Sequence, residues 1–562
     1  MAMTGMGDTA SFIRTIAYDG IVRWDPDFKT VIPNIAKDWK VSDDARVYTL
    51  YLREGMRWSD GHPFTAEDIM YWFEEVQLNT DLTPVFPTWL APGGNRPTVT
   101  KIDEYTVEFK YARPHGLLLR QFANAGQGYI FAPKHYMKQF HPKYTSADRL
   151  EALTIEHGLE QWYQLYQNMD DRFQNPERPT LDAWKTVTPL GKSTQVVLER
   201  NPYYWKIDPE GNQLPYIDKV IYAVVENVEV ALMKALSGEI DMQDRHIGTL
   251  RNFSVVAENR EKGGYRIYRT KPTGENSMVI CFNLNHKDPV MNEIFNDKRF
   301  RIAMSHAINR PEIIDLIYYG EAEPSQPAPR KESPFYYEPL TNAFIEYDVA
   351  EANRLLDEMG LTARGKDGFR LRPDGKPLTI TIELAPLYSE IVDASELLKV
   401  YWEAVGVRVA VKVQERSLFY TRTEAADHDV ALHHADSSGI DVLLYPRYYF
   451  PSDHQSMQAP LWSLWYRSGG KSGEKPPKEV LRQMELYDQI LATADEARQV
   501  ELMTEILKIN AENSYVLGIS TMIGPFGIVK DNFHNVPDEI HYGWIYPSPA
   551  PTRAEQYYIS DK

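Results

Sequence analysis

Runs of strand-forming residues alternate with helical patterns along the whole 562-residue sequence, and this alternation most restricts the possible fold. Residues 47–52 and 378–384 are rich in β-branched or aromatic residues and alternate in polarity, which is typical of strands. Thr65, Asn309 and Thr493 each have the spacing of a helix N-cap, and an apolar stripe of helical period follows Thr493. Interspersed strands and helices indicate an α/β protein rather than an all-α or all-β one.

The charge balance argues against nucleic acid as a partner. The chain has 61 Lys and Arg against 79 Asp and Glu, a formal net charge of −18 at pH 7. A surface this negative repels phosphate backbones, and no Lys/Arg-rich run offsets it. Aromatic residues make up 12% of the chain, which fits either core and loop packing or a ligand groove lined with flat rings.

Neither a membrane span nor an export signal is predicted from the sequence. No stretch approaches the about 20 apolar residues that a membrane-spanning helix needs. Residues 1–8 have neither a charged n-region nor an apolar h-region. Either the protein is cytosolic, or it is exported by a signal peptide that this chain does not include.

The sequence lacks the familiar catalytic signatures. Residues 191–193 and 470–472 end like a phosphate-binding loop, but Thr186 and Trp465 replace the glycine that begins such a loop. Neither a G-x-S-x-G nor an H-E-x-x-H motif occurs. The single Cys281 lies in an apolar run that predicts a buried strand, and it cannot form an internal disulfide or a Cys-based zinc site. These absences argue against an enzyme without excluding one, and a glycoside-processing enzyme on an α/β scaffold stays an alternative. We expect a protein that is not an enzyme and needs no cofactor.

His433, His434 and Asp436 are close enough in sequence to suggest a metal site. However, neighbouring residues on a strand point to opposite faces of the sheet. The two imidazoles are therefore not expected to converge on one ion, and we expect no bound metal.

The most specific pattern in the sequence lies at residues 52–68. It reads Leu-Arg-Glu-Gly-Met-Arg-Trp-Ser-Asp-Gly-His-Pro-Phe-Thr-Ala-Glu-Asp. At every fixed position it resembles L-R-x-G-x-x-W-S-D-G-x-P-F-T-A-x-D, the signature of the oligopeptide- and dipeptide-binding family, solute-binding protein family 5. A tight turn at 59–61, an anchor at 63–64 and a helix cap at Thr65 give this pattern a physical meaning.

Other segments resemble the same family in the family's own order. Residues 201–205 and 214–218 resemble its N-P-x-Y-W segment and the strand after it, and residues 235–241 resemble its L-x-x-G-E-I-D strand entry. Residues 299–310 resemble its second-lobe helix, which usually ends A-I-D-R or A-I-N-R.

The resemblance implies the α/β, two-lobed periplasmic binding protein fold of type II, in the large cluster with an extra subdomain in lobe I. A solute would bind in the cleft between the lobes, which would then close around it. The expected segments are lobe I at 1–44, the extra subdomain at 45–185, lobe I at 186–276, lobe II at 277–514, and the return to lobe I at 515–562.

The resemblance also implies a role and a location. The expected role is the substrate-binding component of an ABC importer, which delivers a small-molecule solute to membrane permease subunits. The expected location is the periplasm and the expected state a monomer. An export signal and a first strand, both usual in the family, would then be missing from this chain.

The identity of the solute is predicted from a departure from the family pattern. Peptide-binding members have an Asp followed by a D-P or E-P pattern, and this Asp binds the ammonium group of the peptide. Asp436 keeps the carboxylate here, but the proline-containing half is absent, which puts peptide capture in doubt. Family 5 members with long insertions and a replaced ammonium site resemble the branch that binds oligosaccharides, such as α-galactosides or β-linked glucans. Sugar rings stack on Trp and Tyr, and sugar hydroxyls need polar partners.

We therefore predict an oligosaccharide as the solute, with a peptide or an opine-like amino-acid conjugate as the alternative. The alternative for each candidate is a structural role, in which Arg447 pairs with an acidic neighbour and Trp462 belongs to the core. The predicted ligand-binding residues are polar or aromatic: Gln243, Arg245, His246, Asn276, His433, His434, Asp436, Asp441, Arg447, Trp462 and Trp465.

Overall fold

Strands and helices alternate through the chain, as the sequence pattern predicts. The computed structural model describes residues 1–3, 17–386, 389–543 and 545–561. The chain divides into two units, Met1–Lys271 with Gly524–Lys562, and Pro272–Ile523. They are called unit 1 and unit 2 below.

Unit 1 has short sheets flanked by helices. Its helices are Ala66–Tyr71, Leu118–Ala123, Lys134–Met137, Ala147–Glu156, Trp162–Asp170, Val228–Leu236, Leu250–Glu258 and Arg260–Gly263. Its strands are β1 (Ala2–Met3), β2 (Val22–Trp24), β3 (Val31–Pro33), β4 (Ala36–Val41), β5 (Val47–Leu52), β6 (Thr98–Asp103), β7 (Thr106–Lys110), β8 (Trp184–Thr188), β9 (Gln195–Arg200), β10 (Lys219–Val224), β11 (Met242–Gln243) and β12 (Tyr265–Pro272), and, after unit 2, β18 (Gly527–Lys530), β19 (Phe533–His534), β20 (Glu539–Tyr542) and β21 (Tyr558–Ile559).

The strand orders in unit 1 are β1-β10-β9-β8, β11-β18-β12-β20 and β4-β5-β7-β6, with the pairs β2-β3 and β19-β21. β18 comes from the C-terminal segment and pairs antiparallel with both β11 and β12. The chain therefore returns to unit 1 after it has formed unit 2.

Unit 2 is built on one mixed five-stranded sheet. Its strands are β13 (Asn276–Phe282), β14 (Thr379–Leu384), β15 (Arg408–Val413), β16 (Val430–Ala435) and β17 (Leu517–Gly518). Their order is β15-β14-β16-β13-β17, and β14 runs parallel to β15 and β16, whereas β13 runs antiparallel to β16 and β17. Its helices are Pro289–Asn296, Lys298–His306, Arg310–Ile317, Glu338–Thr341, Val349–Glu358, Ser389–Ala404, Arg416–Glu424, Pro460–Arg467, Lys478–Leu491 and Glu496–Asn513.

β13 is buried at every position, and Cys281 within it has no exposed surface, as predicted. Burial raises the pKa of the Cys281 thiol well above its usual value, so the side chain behaves as an apolar one. Among the described residues, every helix is too short or too polar to span a bilayer.

The predicted turn and helix cap of the signature segment are confirmed. Gly61 has a φ of 88°, and its N–H donates to the carbonyl of Trp58 at 2.8 Å. Phe64 is fully buried. The side chain of Thr65 accepts from the first turn of the next helix, and Asp68 Oδ2 accepts from the Thr65 N–H at 3.0 Å. This reciprocal pair satisfies helix N–H groups that would otherwise lack partners.

Of the two other predicted caps, one is confirmed and one is wrong. Asn309 caps the helix that begins at Arg310, as predicted. The last long helix begins at Glu496, and its cap is Asp495 rather than Thr493. Asp495 accepts from the N–H of Arg498, whereas the Thr493 hydroxyl accepts from the N–H of Asp495 itself. A carboxylate is the stronger N-cap and also complements the positive end of the helix dipole.

Two of the predicted segment boundaries can be compared with these elements. Residue 45 lies in the turn between β4 and β5, which pair antiparallel, so we propose that the extra subdomain begins at β4. Unit 2 contains the whole of 277–514 and continues to Ile523, because β17 pairs with β13.

Candidate functional site

Several of the predicted site residues lie at the end of one strand of unit 2 or directly after it. β16 ends at Ala435. His433 and His434 are among its last three residues, and Asp436 comes directly after it. The opposing strand has a register shift between Asn276 and Val279, where the regular alternation of side chains is interrupted.

The two histidines lie against each other. Their ring centroids are 4.4 Å apart and their planes differ by 25°. The expectation that the rings point to opposite faces is therefore wrong. His433 Nδ1 donates to the carbonyl of His434 at 2.7 Å, which turns the ring along the strand. The Tyr420 hydroxyl lies 3.0 Å from His433 Nε2.

These contacts determine the charge of His433 and Asp436. Burial lowers the pKa of His433 to about 3, so this ring is neutral at pH 7. Burial alone would raise the pKa of Asp436, but His434 and Arg447 outweigh it and hold that pKa well below its usual range. His434 Nε2 lies 3.2 Å from Asp436 Oδ1. With 38% of its side chain exposed, Asp436 is an ionised acceptor that a solute can reach.

Arg447 is the cation of this cluster. Its Nε lies 3.2 Å from Asp453 Oδ2, Nη1 donates to Gln455 Oε1, and the guanidinium lies 5.5 Å from the ring centroid of Tyr445. Burial disfavours the charged form, but Asp453 and other nearby groups, Asp436 among them, outweigh it and raise the pKa of Arg447. Arg447 therefore stays charged, with donors oriented by a fixed framework.

Two further carboxyl groups lie behind this cluster. Burial raises the pKa of Asp441 to about 7, and its Oδ1 accepts from the N–H of Gly439 at 2.9 Å. Burial also raises the pKa of Glu275 well above its usual value, and Asp436 and Asp441 add to this effect. The Tyr449 hydroxyl donates to Glu275. Sequence reasoning missed Glu275, although an acid directly before a fully buried strand is itself unusual.

Asn276 and Trp462 are buried within unit 2. Asn276 is fully buried, donates to the carbonyl of Ser325 at 2.9 Å and accepts from the N–H of Ile519 at 3.0 Å. Trp462 is 6% exposed, on the helix Pro460–Arg467. We therefore propose that both side chains stabilise unit 2 and do not contact the solute.

Trp465 lies on the same helix and is half-buried. Its indole lies so close to Gly470 that an added Cβ there would be 3.4 Å from the ring. One part of this ring therefore packs against backbone, and the other part is exposed. Its predicted contact with a solute stays a prediction.

Of the three predicted residues of unit 1, Gln243 ends β11, and Arg245 and His246 come shortly after it. Gln243 accepts from the N–H of Ala2 at 3.0 Å and donates to the carbonyls of Ala2 and Arg245 at 3.2 and 2.9 Å. This amide holds β1 against the body of unit 1. Arg245 and His246 are half-buried, and His246 has a left-handed backbone with a φ of 70°. Their role as solute contacts stays a prediction.

The cluster can exchange hydrogen bonds with a polar solute, since it offers an ionised acceptor, a guanidinium and imidazole nitrogens within one surface. No group of three or more His, Cys, Asp or Glu side chains suited to a metal ion occurs within the described ranges.

The sequence and the structure were compared with known proteins. The family model described as bacterial extracellular solute-binding proteins, family 5 Middle, matches residues 30–456. A protein of Rhizobium meliloti (strain 1021) described as a periplasmic alpha-galactoside-binding protein is 26% identical over 519 residues, which cover 90% of this chain and 71% of that protein.

Two solved structures extend this likeness. A structure described as the oligopeptide-binding protein OppA has a TM-score of 0.80 and 38% identity, over 100% of this chain and 90% of that one. The periplasmic binding protein MelB from Agrobacterium fabrum C58, in complex with stachyose, has a TM-score of 0.71 and 21% identity, over 98% of this chain and 81% of that one. The predicted α/β fold of the two-lobed periplasmic binding proteins is confirmed.

Proposed function

Because the chain belongs to family 5 of the bacterial extracellular solute-binding proteins, we propose that it captures an oligosaccharide for an ABC importer. Members of this family are solute-binding proteins rather than enzymes, and they work with permease subunits of ABC importers. The relative from Rhizobium meliloti supports a sugar, since its described ligand is an alpha-galactoside and it aligns with 90% of this chain.

The observation that carries the proposal is the mixture of donors and acceptors around Asp436. Asp436 is ionised and accepts only, whereas Arg447 donates only, and the two lie in one cluster with neutral His433. Sugar hydroxyls donate and accept at once, so they can bridge such groups in pairs. The half-buried rings of Tyr420 and Tyr445 provide apolar faces beside them.

A peptide is the second candidate. The structure described as OppA is 38% identical to this chain, which is the observation in its favour. The exposed, ionised carboxylate of Asp436 would suit an ammonium group. Arg447 argues against a peptide, because its positive charge lies near Asp436 and would repel an ammonium group.

Further parts of the proposal concern the state of the protein. We propose a periplasmic monomer that releases its solute unchanged and does not bind nucleic acid. The relatives described as periplasmic support the location, and the net charge of −18 disfavours nucleic acid.

Thermal unfolding with added ligand separates the two solutes. Stachyose, raffinose and trialanine would each be added to the full chain, because a ligand at 100 times its Kd stabilises the folded state by about 2.7 kcal/mol. We expect stachyose or raffinose to raise Tm and trialanine to leave it unchanged. If trialanine alone raises Tm, the solute is a peptide and the proposal of a sugar is wrong. Chromatography of the sugar recovered after denaturation tests for turnover, and we expect it intact.

A further inference from the structure

Unit 1 contains a cavity of about 820 Å³ that none of the predicted solute-binding residues lines. Its walls come from β3 and the segment after β5, from residues 202–207, and from residues 553–556 near the C-terminus. This volume lies within the about 300–1,000 Å³ that is usual for sites that bind small molecules.

The charged side chains that line the cavity are mostly cationic. The cations are Arg23, Lys37, Arg53, Arg57, Lys206 and Arg553, and the anions are Glu54 and Glu555. The whole chain has a net charge of −18, so this local excess of cations differs in sign from the protein as a whole. Cations gathered within one concave surface raise the local concentration of anions.

Half of these cations already have carboxylate partners. Lys206 Nζ lies 3.0 Å from Glu555 Oε1, and Arg23 Nη1 lies 3.6 Å from the same oxygen. Lys37 Nζ lies 3.0 Å from Glu54 Oε1. These three cations and the two lining carboxylates balance one another in large part.

The other three cations are arginines without an ion pair to any described residue. Arg53 Nε donates to the carbonyl of Asn34 at 2.7 Å, and Arg57 Nη1 donates to the carbonyl of Gly61 at 2.8 Å. Arg553 is exposed and has a left-handed backbone with a φ of 64°, which is uncommon for a residue with a Cβ. Each guanidinium therefore keeps several N–H donors free, and their charge is not neutralised locally.

The wall between these arginines is aromatic. The guanidinium of Arg53 lies 5.1 Å from the ring centroid of Trp205, which also has Lys206 Nζ at 5.0 Å. Burial lowers the pKa of Arg53, so the fold holds this cation partly out of water without a carboxylate partner. The indole Nε1 of Trp205 is buried and has no hydrogen-bond partner among the described residues, so the ring meets the cavity as an apolar wall.

We propose that this cavity is a second binding site, for a small anion that carries carboxylate or phosphate groups. A planar guanidinium binds such oxyanions through two parallel hydrogen bonds, and three unpaired arginines in one cavity can bind more than one acidic group. The site is formed by unit 1 alone, and it does not depend on the sugar or peptide that the cluster around Asp436 binds.

Calorimetric titration of the full chain at constant ionic strength tests the site, with citrate and inorganic phosphate as separate probes. We expect saturable binding of at least one probe with a Kd of about 1 mM or tighter. Citrate alone would identify a carboxylate site and phosphate alone a phosphate site. The absence of saturable binding of both probes would overturn the proposal.

Substitutions locate the binding. In the double variant Arg57→Gln/Arg553→Gln we expect the Kd of the probe to rise at least tenfold, because two unpaired charges are lost. Arg149→Gln, on the exposed face of the helix Ala147–Glu156, removes an equal charge outside the cavity and should change Kd less than twofold. An equal loss in Arg149→Gln would mean general attraction to the surface and would refute the site.

If the double variant unfolds, Arg57→Gln alone replaces it in the test, because this substitution changes only one exposed side chain. Stachyose titrated into the double variant should bind as in the wild type, which separates this proposal from that of the solute.

Discussion

Asp441 should make unit 2 less stable as the pH rises from about 4 to about 7. This carboxyl is 1% exposed, and burial raises its pKa from 3.8 to about 7. Over that pH range the unfolded chain has released the proton whereas the folded protein still holds it. Stability falls with rising pH wherever the folded state binds more protons, so the unfolding free energy decreases through this window and is constant above it.

The size of the effect follows from the shift. A difference of about three pKa units corresponds to about 4 kcal/mol, since each unit is worth about 1.4 kcal/mol. Asp441→Asn removes the titration while keeping an oxygen that can accept from the N–H of Gly439. We therefore expect the unfolding free energy of Asp441→Asn, relative to the wild type, to be higher by about 4 kcal/mol at pH 8 than at pH 4.

Urea unfolding at pH 4, 6 and 8, followed by tryptophan fluorescence, measures this difference. Glu396→Gln, an exposed carboxyl on the helix Ser389–Ala404, is the matched control and should show the same pH dependence as the wild type. If the difference between Asp441→Asn and the wild type is constant across the three pH values, Asp441 titrates alike in both states and the argument from burial fails.

Five further substitutions test the site and the fold. Arg447→Gln removes the cation of the cluster and should weaken stachyose binding at least tenfold by calorimetry, and an unchanged Kd would exclude Arg447 from the site. Trp465→Ala removes a half-buried ring and should weaken stachyose binding about tenfold, or ~1.4 kcal/mol, while leaving Tm nearly unchanged. Trp462→Ala removes a buried ring and should instead lower the unfolding free energy by about 3–5 kcal/mol. Asp495→Ala should cost about 1 kcal/mol in urea unfolding and Thr493→Ala clearly less, and the reverse order would restore Thr493 as the cap.

The parts of the fold that sequence patterns predict well are local. The signature segment at 52–68 forms the expected turn and capped helix, because a Gly with positive φ and a Thr–Asp pair at cap spacing satisfy backbone groups within a few residues. The buried strand around Cys281 is equally local, since a continuous apolar run needs only to be covered on both faces.

Residues whose partners are distant in sequence could not be placed in this way. The amide of Gln243, a predicted solute contact, pairs with the backbone of Ala2 across 241 positions of the chain, and its contact with a solute stays a prediction. Asn276 similarly pairs with Ser325 and with Ile519. A polar side chain at the end of a strand has the same local pattern whether it meets a ligand or another segment, so the tertiary fold alone separates these roles.

The histidine pair shows a different limit. Strict alternation along β16 predicts rings on opposite faces, yet the register shift in β13 and the bond from His433 Nδ1 to the His434 carbonyl stack them. Alternation holds where a ladder is regular, and it fails at the irregular strand ends where sites are commonly built.

The charged side chains of the two proposed sites differ in whether they have an ion-pair partner within the protein. This difference indicates which kind of ligand each site takes. In unit 2 the exposed anion, Asp436, has His434 at 3.2 Å, and Arg447 has Asp453 at 3.2 Å. Charges that are already paired inside the protein bind a neutral polyol without leaving an ion uncompensated, because hydroxyls add hydrogen bonds but no charge. In the unit 1 cavity three arginines, Arg53 among them, have no ion pair with any described residue, so a neutral ligand would leave them as they are and an anion would neutralise them. We therefore expect a neutral solute at the cluster around Asp436 and an anion in the unit 1 cavity.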